Sequence, residues 1–274
     1  ETITAQVVRV AQEQAARSVG FSPAKLSRIE AGKGRRPPTE ADVRALLDLY
    51  KAEEYEASVL LQLLLRAGEP GWWQRFDKRL MPEWFDRLVG LQEAALAIRT
   101  FEIQYVPGLL QTPAYTCAVV ERGLPAAPAR EVERRVELRT RRRELLQRTD
   151  PPQLWAIVDE SVLLRVLGSR EVMREQLEHL IAMAQKPHVT LQIVPLDATN
   201  ASAPAIPVTY LRFGGLELPD VVYLEHIRSA TFLEDRDETE EYRVVLDRLA
   251  DEALDPRESL TLLRETAERR YGAG

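Results

Sequence analysis

Seven cationic side chains fall within residues 9–36: Arg9, Arg17, Lys25, Arg28, Lys33, Arg35 and Arg36. Only Glu13 and Glu30 oppose them, so this stretch carries +5 in a 274-residue chain of formal net charge −6, leaving −11 for the remainder. A guanidinium presents a planar fork of donors that fits a phosphate or the O6/N7 edge of guanine, and an ammonium adds a point charge. Such groups gathered on one face are the electrostatic footprint of a duplex binder. The acidic total argues against a nucleic-acid partner; its division along the chain reverses that reading.

Other residue types that could do chemistry are sparse. Asp159-Glu160, Glu225 and His226 would suit acid–base work if they faced one cleft. Asp159-Glu160, however, sits at a strand-to-helix junction, where carboxylates cap helices and favour the dipole. His179, His188 and His226 have no sequence partner at metal or triad spacing, Cys117 is alone, and no glycine-rich phosphate loop occurs. No catalytic residue, metal site or cofactor is therefore expected, and the chain is not expected to be an enzyme. No apolar run reaches the roughly 18 residues of a membrane span, and Glu1-Thr2-Ile3-Thr4 lacks signal-peptide character. A cytoplasmic protein without membrane contact is expected.

The elements that must position the cations come next. Between Val10 and Gly32 the sequence predicts two short helices joined by a tight turn. Ala16 is small where two helices cross, Gly20 supplies a positive backbone dihedral, and Ser22-Pro23 reads as an N-cap and first helical position. Leu26 and Ile29 face inward with Val19 and Phe21, and Gly32 suits a left-handed helix end. That leaves Ala24, Lys25, Ser27 and Arg28 outward, on the face that enters the major groove in a helix-turn-helix. Gln12 and, after the second helix, Lys33, Arg35 and Arg36 are placed to meet phosphates. The predicted DNA-binding set is Gln12, Ser22, Ala24, Lys25, Ser27, Arg28, Lys33, Arg35 and Arg36. A plain helical hairpin with a solvated face, or one used for protein contacts, is the alternative.

Pro37-Pro38-Thr39-Glu40 separates this unit from a helix capped by Thr39, with Val43, Leu46, Leu47 and Tyr50 as its apolar stripe. A further helix is expected over Glu53–Arg66, and Gly68-Glu69-Pro70-Gly71 breaks it. Two domains follow: 1–66, a helix-turn-helix DNA-binding domain, and 71–274, a regulatory, dimerisation or partner-binding domain. In the second, helices are predicted over Pro82–Thr100, Pro113–Glu121, Arg130–Gln147, Glu160–Leu167, Arg170–Gln185, Glu238–Glu252 and Pro256–Arg270. Strands are predicted over Leu154–Val158, Val189–Val194, Val208–Phe213 and Val221–Glu225. The fold class is an all-α helix-turn-helix domain plus a larger α+β domain. Trp84, Phe85, Leu88, Leu91 and Ala95 share a helical stripe and read as core rather than a ligand cage. The arginines and glutamates of Arg130–Gln147 read as ion pairs on a solvated face; a nucleic-acid contact or a dock for an acidic partner is the alternative.

Gln12 to Gly32, with its Gln-Glu-Gln-x-Ala, Gly-x-Ser and Ser-Arg-Ile-Glu-x-Gly elements, resembles the xenobiotic-response-element family of Cro/repressor-type regulators. Domains of that family carry a full amphipathic helix and a short link ahead of the Val10 position, where this chain offers Glu1–Arg9. Tyr105-Val106-Pro107-Gly108-Leu109-Leu110-Gln111-Thr112-Pro113-Ala114-Tyr115 resembles the signature of a C-terminal domain of actinobacterial regulators. Val158–Glu160, Val189–Pro195 and Val221–Glu225 match it too. The resemblance implies an antitoxin-like transcription regulator that binds double-stranded DNA and works with a small partner protein. A homodimer is expected because single helix-turn-helix units gain affinity by pairing half-sites. A module with a degenerate helix-turn-helix that sequesters a small partner protein, or a small-molecule sensor, remains the alternative.

Overall fold

The computed structural model describes residues 12–30, 38–54, 57–58, 60–61, 64, 71–77, 80–198, 203–214 and 219–272. The chain divides into two compact units, Glu1–Trp72 and Trp73–Gly274.

In the first unit, residues 12–18 form helix α1 and Pro23–Glu30 forms α2. The turn between them is a left-handed helix end. Gly20 has φ 71°, its N–H donates to the Arg17 carbonyl, and the Phe21 N–H reaches back to that of Ala16 at 2.8 Å. Helix α3, Glu40–Tyr50, starts in a capping box: Thr39 Oγ1 accepts the Asp42 N–H while Asp42 Oδ2 accepts that of Thr39. Ala16, Leu26 and Leu46 are buried together, with Ala15, Val19, Phe21 and Ile29 packed around them. The inward positions expected of α2 are thus the inward positions observed. Glu54, Ala57, Ser58, Leu60, Leu61 and Leu64 are helical within the stretch expected over Glu53–Arg66.

The second unit is a mixed sheet clad with helices. In chain order it runs α4 (Glu83–Ala94), β1 (Ala97–Glu102), α5 (Pro113–Gly123), α6 (Ala129–Arg142), β2 (Gln153–Asp159), α7 (Ser161–Leu164) and α8 (Arg170–Met183). Then come β3 (Val189–Val194), β4 (Val208–Arg212), β5 (Val221–Glu225), β6 (Ala230–Leu233), α9 (Arg236–Glu252) and α10 (Pro256–Tyr271). The six strands are ordered β3-β2-β1-β4-β5-β6. β1, β2 and β3 are parallel and need helical crossovers, whereas β4, β5 and β6 add antiparallel neighbours.

Two strands depart from the sequence reading. The helix expected over Pro82–Thr100 ends at Ala94, and Ala97–Glu102 is the central strand β1. No glycine or proline marks the change; Ala95 simply turns extended, and Ile98, Thr100 and Phe101 suit a pleated surface. β6, over Ala230–Leu233, was not expected at all. The other four strands lie within one residue of their expected ends at each side.

The sheet has two unlike faces. Phe101, Ile157, Val208, Tyr210, Val222 and Leu224 pack against Leu246, Leu249 and Ala250 of α9 in a closed apolar layer. The opposite face carries Ile98, Thr100 and Glu102 on β1, Thr209 on β4, and Tyr223 and Glu225 on β5, as the two-residue period requires. In register, Thr100 pairs with Thr209 and Thr209 with Tyr223, so polar side chains form a row across three strands. A polar row on a covered face is what a site needs and a core avoids.

Candidate functional site

The first candidate is the outward face of α2. Ala24, Ser27 and Arg28 are exposed, and Arg28 Nε donates to the Ala24 carbonyl at 3.0 Å, which fixes the root of its guanidinium. Ser22 is exposed, and its Oγ accepts the Lys25 N–H at 3.2 Å as a cap. Lys25 is already engaged: its Nζ lies 2.6 Å from Asp42 Oδ1 and 4.0 Å from the Phe21 ring centre. That ion pair is the main reason the Asp42 carboxyl sits below the ordinary carboxylate range. Gln12 donates to Glu30 Oε2 at 2.8 Å, and Tyr50 donates to the other oxygen of Glu30 at 2.6 Å. The structure therefore leaves Arg28, Ser27 and Ala24 presented to solvent and ties Gln12 and Lys25 into the unit. Gly32, Lys33, Arg35 and Arg36 lie outside the described residues.

The second candidate is a cavity of about 1090 Å³ within the second unit. Its walls are the polar face of the sheet, α4, the segment 104–111, and α6. Helix α6 contributes Arg135, Arg139 and Arg142, spaced i, i+4, i+7 so that all three lie on one face. This corrects the solvated-face reading of Arg130–Gln147. Arg130, Glu133, Arg134 and Glu137 are exposed as expected, but the opposite stripe turns inward and Arg142 is only 8% exposed. Arg135 is held by Glu131 at 2.8 Å, the intrahelical pair expected. Arg139 and Arg142 form no ion pair among the described residues, and Arg142 Nε is buried without a partner. The guanidinium of Arg142 lies 5.2 Å from the Phe85 ring centre.

The electrostatics follow from that burial. Desolvation lowers Arg142 to about 10, helped by its neighbour Arg139, and Arg139 is lowered for the same first reason. Desolvation, with the nearby charge of Glu225, pushes the Glu102 carboxyl up to about 8. Glu102 is half-buried at the cavity, and its raised carboxyl favours the neutral form, which can donate a hydrogen bond. Tyr223 donates to Glu225 Oε2 at 2.9 Å, and burial raises the phenol. Gln92 on α4, also at the cavity, has a buried Oε1 without a partner.

The segment around Gly108 is a wall tied by buried hydrogen bonds. Gln176 bridges the Thr112 N–H and the Leu110 carbonyl at 2.7 and 2.8 Å, and Gln111 Nε2 donates to the Val106 carbonyl at 2.8 Å. Thr112 caps α5, its side chain accepting the Tyr115 N–H, at the helix start expected at Pro113. Gly108 itself is required by proximity: a Cβ there would collide with the Arg142 guanidinium. Of the aromatic stripe on α4, Phe85 and Leu88 are buried, yet both also line the cavity with half-buried Trp84.

The acid–base constellation does not assemble. Asp159 Oδ1 accepts the Ser161 N–H and Glu160 Oε2 accepts that of Leu196, both backbone caps, while Glu225 and His226 line the cavity without them. His188 bonds the Leu146 carbonyl at 3.0 Å. Among the described residues, no group of three or more His, Cys, Asp or Glu side chains is arranged to hold a metal, and no helix is long and apolar enough to cross a membrane.

Two families match the chain. Residues 8–60 match a helix-turn-helix domain, and residues 85–265 match a domain of unknown function, DUF5753. No curated protein and no solved structure matches. The helix-turn-helix match, with the α1–turn–α2 geometry, marks a DNA-binding regulator. The second match covers well over half of the sequence, and the chain belongs to the DUF5753 family.

Proposed function

We propose that the protein is a cytoplasmic, sequence-specific transcription regulator that acts as a homodimer and has no catalytic step. In this reading α2 enters the major groove, and the second unit controls it through a small partner protein or a ligand, in the manner of an antitoxin. The observation that carries the reading is the outward face of α2. Leu26 and Ile29 anchor its inner side, so Ala24, Ser27 and Arg28 project from a fixed frame. Arg28 is the expected base reader, because its guanidinium makes no ion pair with the described residues. Lys25 is expected to act less directly, through the Asp42 pair that steadies α2 against α3. Gln12, Ser22, Lys33, Arg35 and Arg36 complete the phosphate-contacting set.

Fluorescence anisotropy on fragments recovered by genome-wide footprinting tests this. Affinity should fall steeply with salt, and Arg28→Ala should cost about 1–3 kcal/mol on the specific fragment. Binding that ignores both salt and changes at Ser27 and Arg28 would remove the proposal. The cavity favours a ligand over a partner protein as the controlling agent, since it lies inside one unit.

A further inference from the structure

We infer that the cavity of the second unit binds a small organic monoanion, a carboxylate on an apolar body, with Arg139 and Arg142 as its anion-binding residues. This deepens the ligand-controlled reading above, and depends on it only for the step from binding to release of DNA.

The argument begins with what is left unpaired. A buried guanidinium without a counter-ion is costly, and proteins keep one where something else completes the pair. Arg142 is buried, its Nε has no partner, and neither it nor Arg139 has a carboxylate within ion-pair distance among the described residues. The two cations also lie close enough to disfavour each other's charge. Gln92, 4% exposed, leaves its Oε1 unpartnered at the same cavity. Two unsatisfied polar side chains, from different helices and lining one cavity, point to a missing ligand rather than to a packing fault.

Charge and shape set its class. Along the inner wall Arg135 is paired with Glu131, the raised Glu102 carboxyl favours its neutral form, and Glu225 offsets one of the Arg139 and Arg142 guanidiniums, while Arg228 stands exposed at the rim. One positive charge is left over on that inner wall, which suits a monoanion, and the Glu225 carboxylate disfavours a dianion. Guanidiniums match a carboxylate with two parallel N–H···O bonds. Protonated Glu102 and the hydroxyls of Thr100 and Thr209 supply further polar contacts. The body of the ligand would rest on Phe85, Leu88, Ile98, Leu109, Val120 and Leu124. The volume is slightly above that of ordinary small-molecule sites, about 300–1000 Å³. At the β5–β6 turn, Ile227 lines the cavity yet its side chain stands fully exposed, an apolar group without cover at the rim.

The test titrates the full chain with 8-anilino-1-naphthalenesulfonate, an anionic apolar dye, followed by displacement. Phenylacetate, indole-3-acetate and octanoate compete against the amines and alcohols with the same bodies. The expected result is saturable dye binding that at least one carboxylate reverses and its matched amine does not. Arg139→Met and Arg142→Met should each weaken dye and carboxylate about 10- to 100-fold while a cooperative thermal transition persists. Three results would overturn the inference: no saturable dye or carboxylate binding, equal competition by amines, or unchanged affinity in both folded variants. Displacement by an acidic peptide and by no small acid would overturn it as well. Because the readout is the anion itself, a failure of DNA binding leaves the result intact, and the reverse also holds.

Discussion

Helices α2 and α6 are both amphipathic segments that carry arginine, one on α2 and several on α6, and they put it to opposite use. On α2 the inward positions are Leu26 and Ile29, so Arg28 is left exposed to water. On α6 the inward stripe is itself cationic, and Arg142 is drawn between Phe85 and the segment around Gly108. The exposed arginine gives up little when it meets a polyanion and gains through counter-ion release. The buried one has already lost its hydration on folding, so a matching anion recovers a large interaction. Spacing alone does not separate a reading face from a binding pocket; the surface opposite the stripe does.

The largest effect that would separate the two regions is expected at Leu26, fully buried in the small core of the first unit. Leu26→Ala should cost about 2–5 kcal/mol. Differential scanning calorimetry should show an early transition lost or shifted far down, with the later one in place and dye binding retained. A single transition shifted as a whole would show that the units do not melt separately. Next comes one substitution made in both helices. Arg142→Met removes an unpaired buried charge and keeps the volume, so it should stabilise the protein by about 1–4 kcal/mol. Arg28→Met, on the surface, should leave the melting temperature unchanged and weaken DNA binding instead. A destabilised Arg142→Met variant would assign that arginine a structural role and erase the contrast.

The first of these regions was the more legible because its signals are local. Gly20, Ser22-Pro23 and the Thr39 cap each act over four residues or fewer, and each is found where the sequence placed it. The cavity is built from long-range pairings that no window contains. Strand β1 continues from α4 without a breaker, and it is a strand because β2 and β4 flank it. Once β1 is read as helix, Thr100 and Glu102 lose their place beside Thr209, Tyr223 and Glu225, and the polar row disappears. With it goes the reason for α6 to turn arginines inward. The available signal was the alternation in Ala97–Glu102, which puts a carboxyl on the same side as Ile98. Nor does any local window show that Gly108 is required by a side chain 34 positions away.

A smaller effect is expected from pH, and only in the second unit. Glu102 is raised to about 8 in the folded chain against an ordinary value of 4.5, with Glu225 and Arg142 as the charges beside it and Tyr115 and Tyr223 as its phenol neighbours. The folded state therefore holds a proton that the unfolded state releases between those two values. Stability falls as pH rises from about 4.5 to about 8. Glu102→Gln removes that slope. The difference in melting temperature between variant and parent should grow across this interval and level off above it. Dye affinity in the parent should fall as pH passes 8, because an ionised Glu102 repels the probe, and the Gln variant should lack that step. A constant difference across the interval would mean that Glu102 is ionised throughout.

The smallest contrast concerns one torsion that occurs in both units. Lys51, closing α3, has φ 54°, and Gly168, before the Ser169 cap of α8, has φ 71°. The left-handed region costs a residue with a Cβ about 1–2 kcal/mol relative to glycine. At Lys51 that cost is already present: its N–H and that of Ala52 satisfy the Asp48 and Leu47 carbonyls, so the conformation is held by the helix end. Lys51→Gly should relieve strain and raise stability by up to about 1 kcal/mol, offset partly by the greater freedom of glycine in the unfolded chain. At Gly168 the surroundings add to the torsion, since a Cβ would lie 3.1 Å from that of Ala118 and 3.3 Å from Val172 Cγ2. Gly168→Ala should therefore lose more than the torsion alone, about 2 kcal/mol. Chemical denaturation of the two variants reads both signs. If Lys51→Gly destabilises, the lysine contributes contacts that outweigh its torsion, and the helix end of α3 is set by its side chain rather than by its backbone.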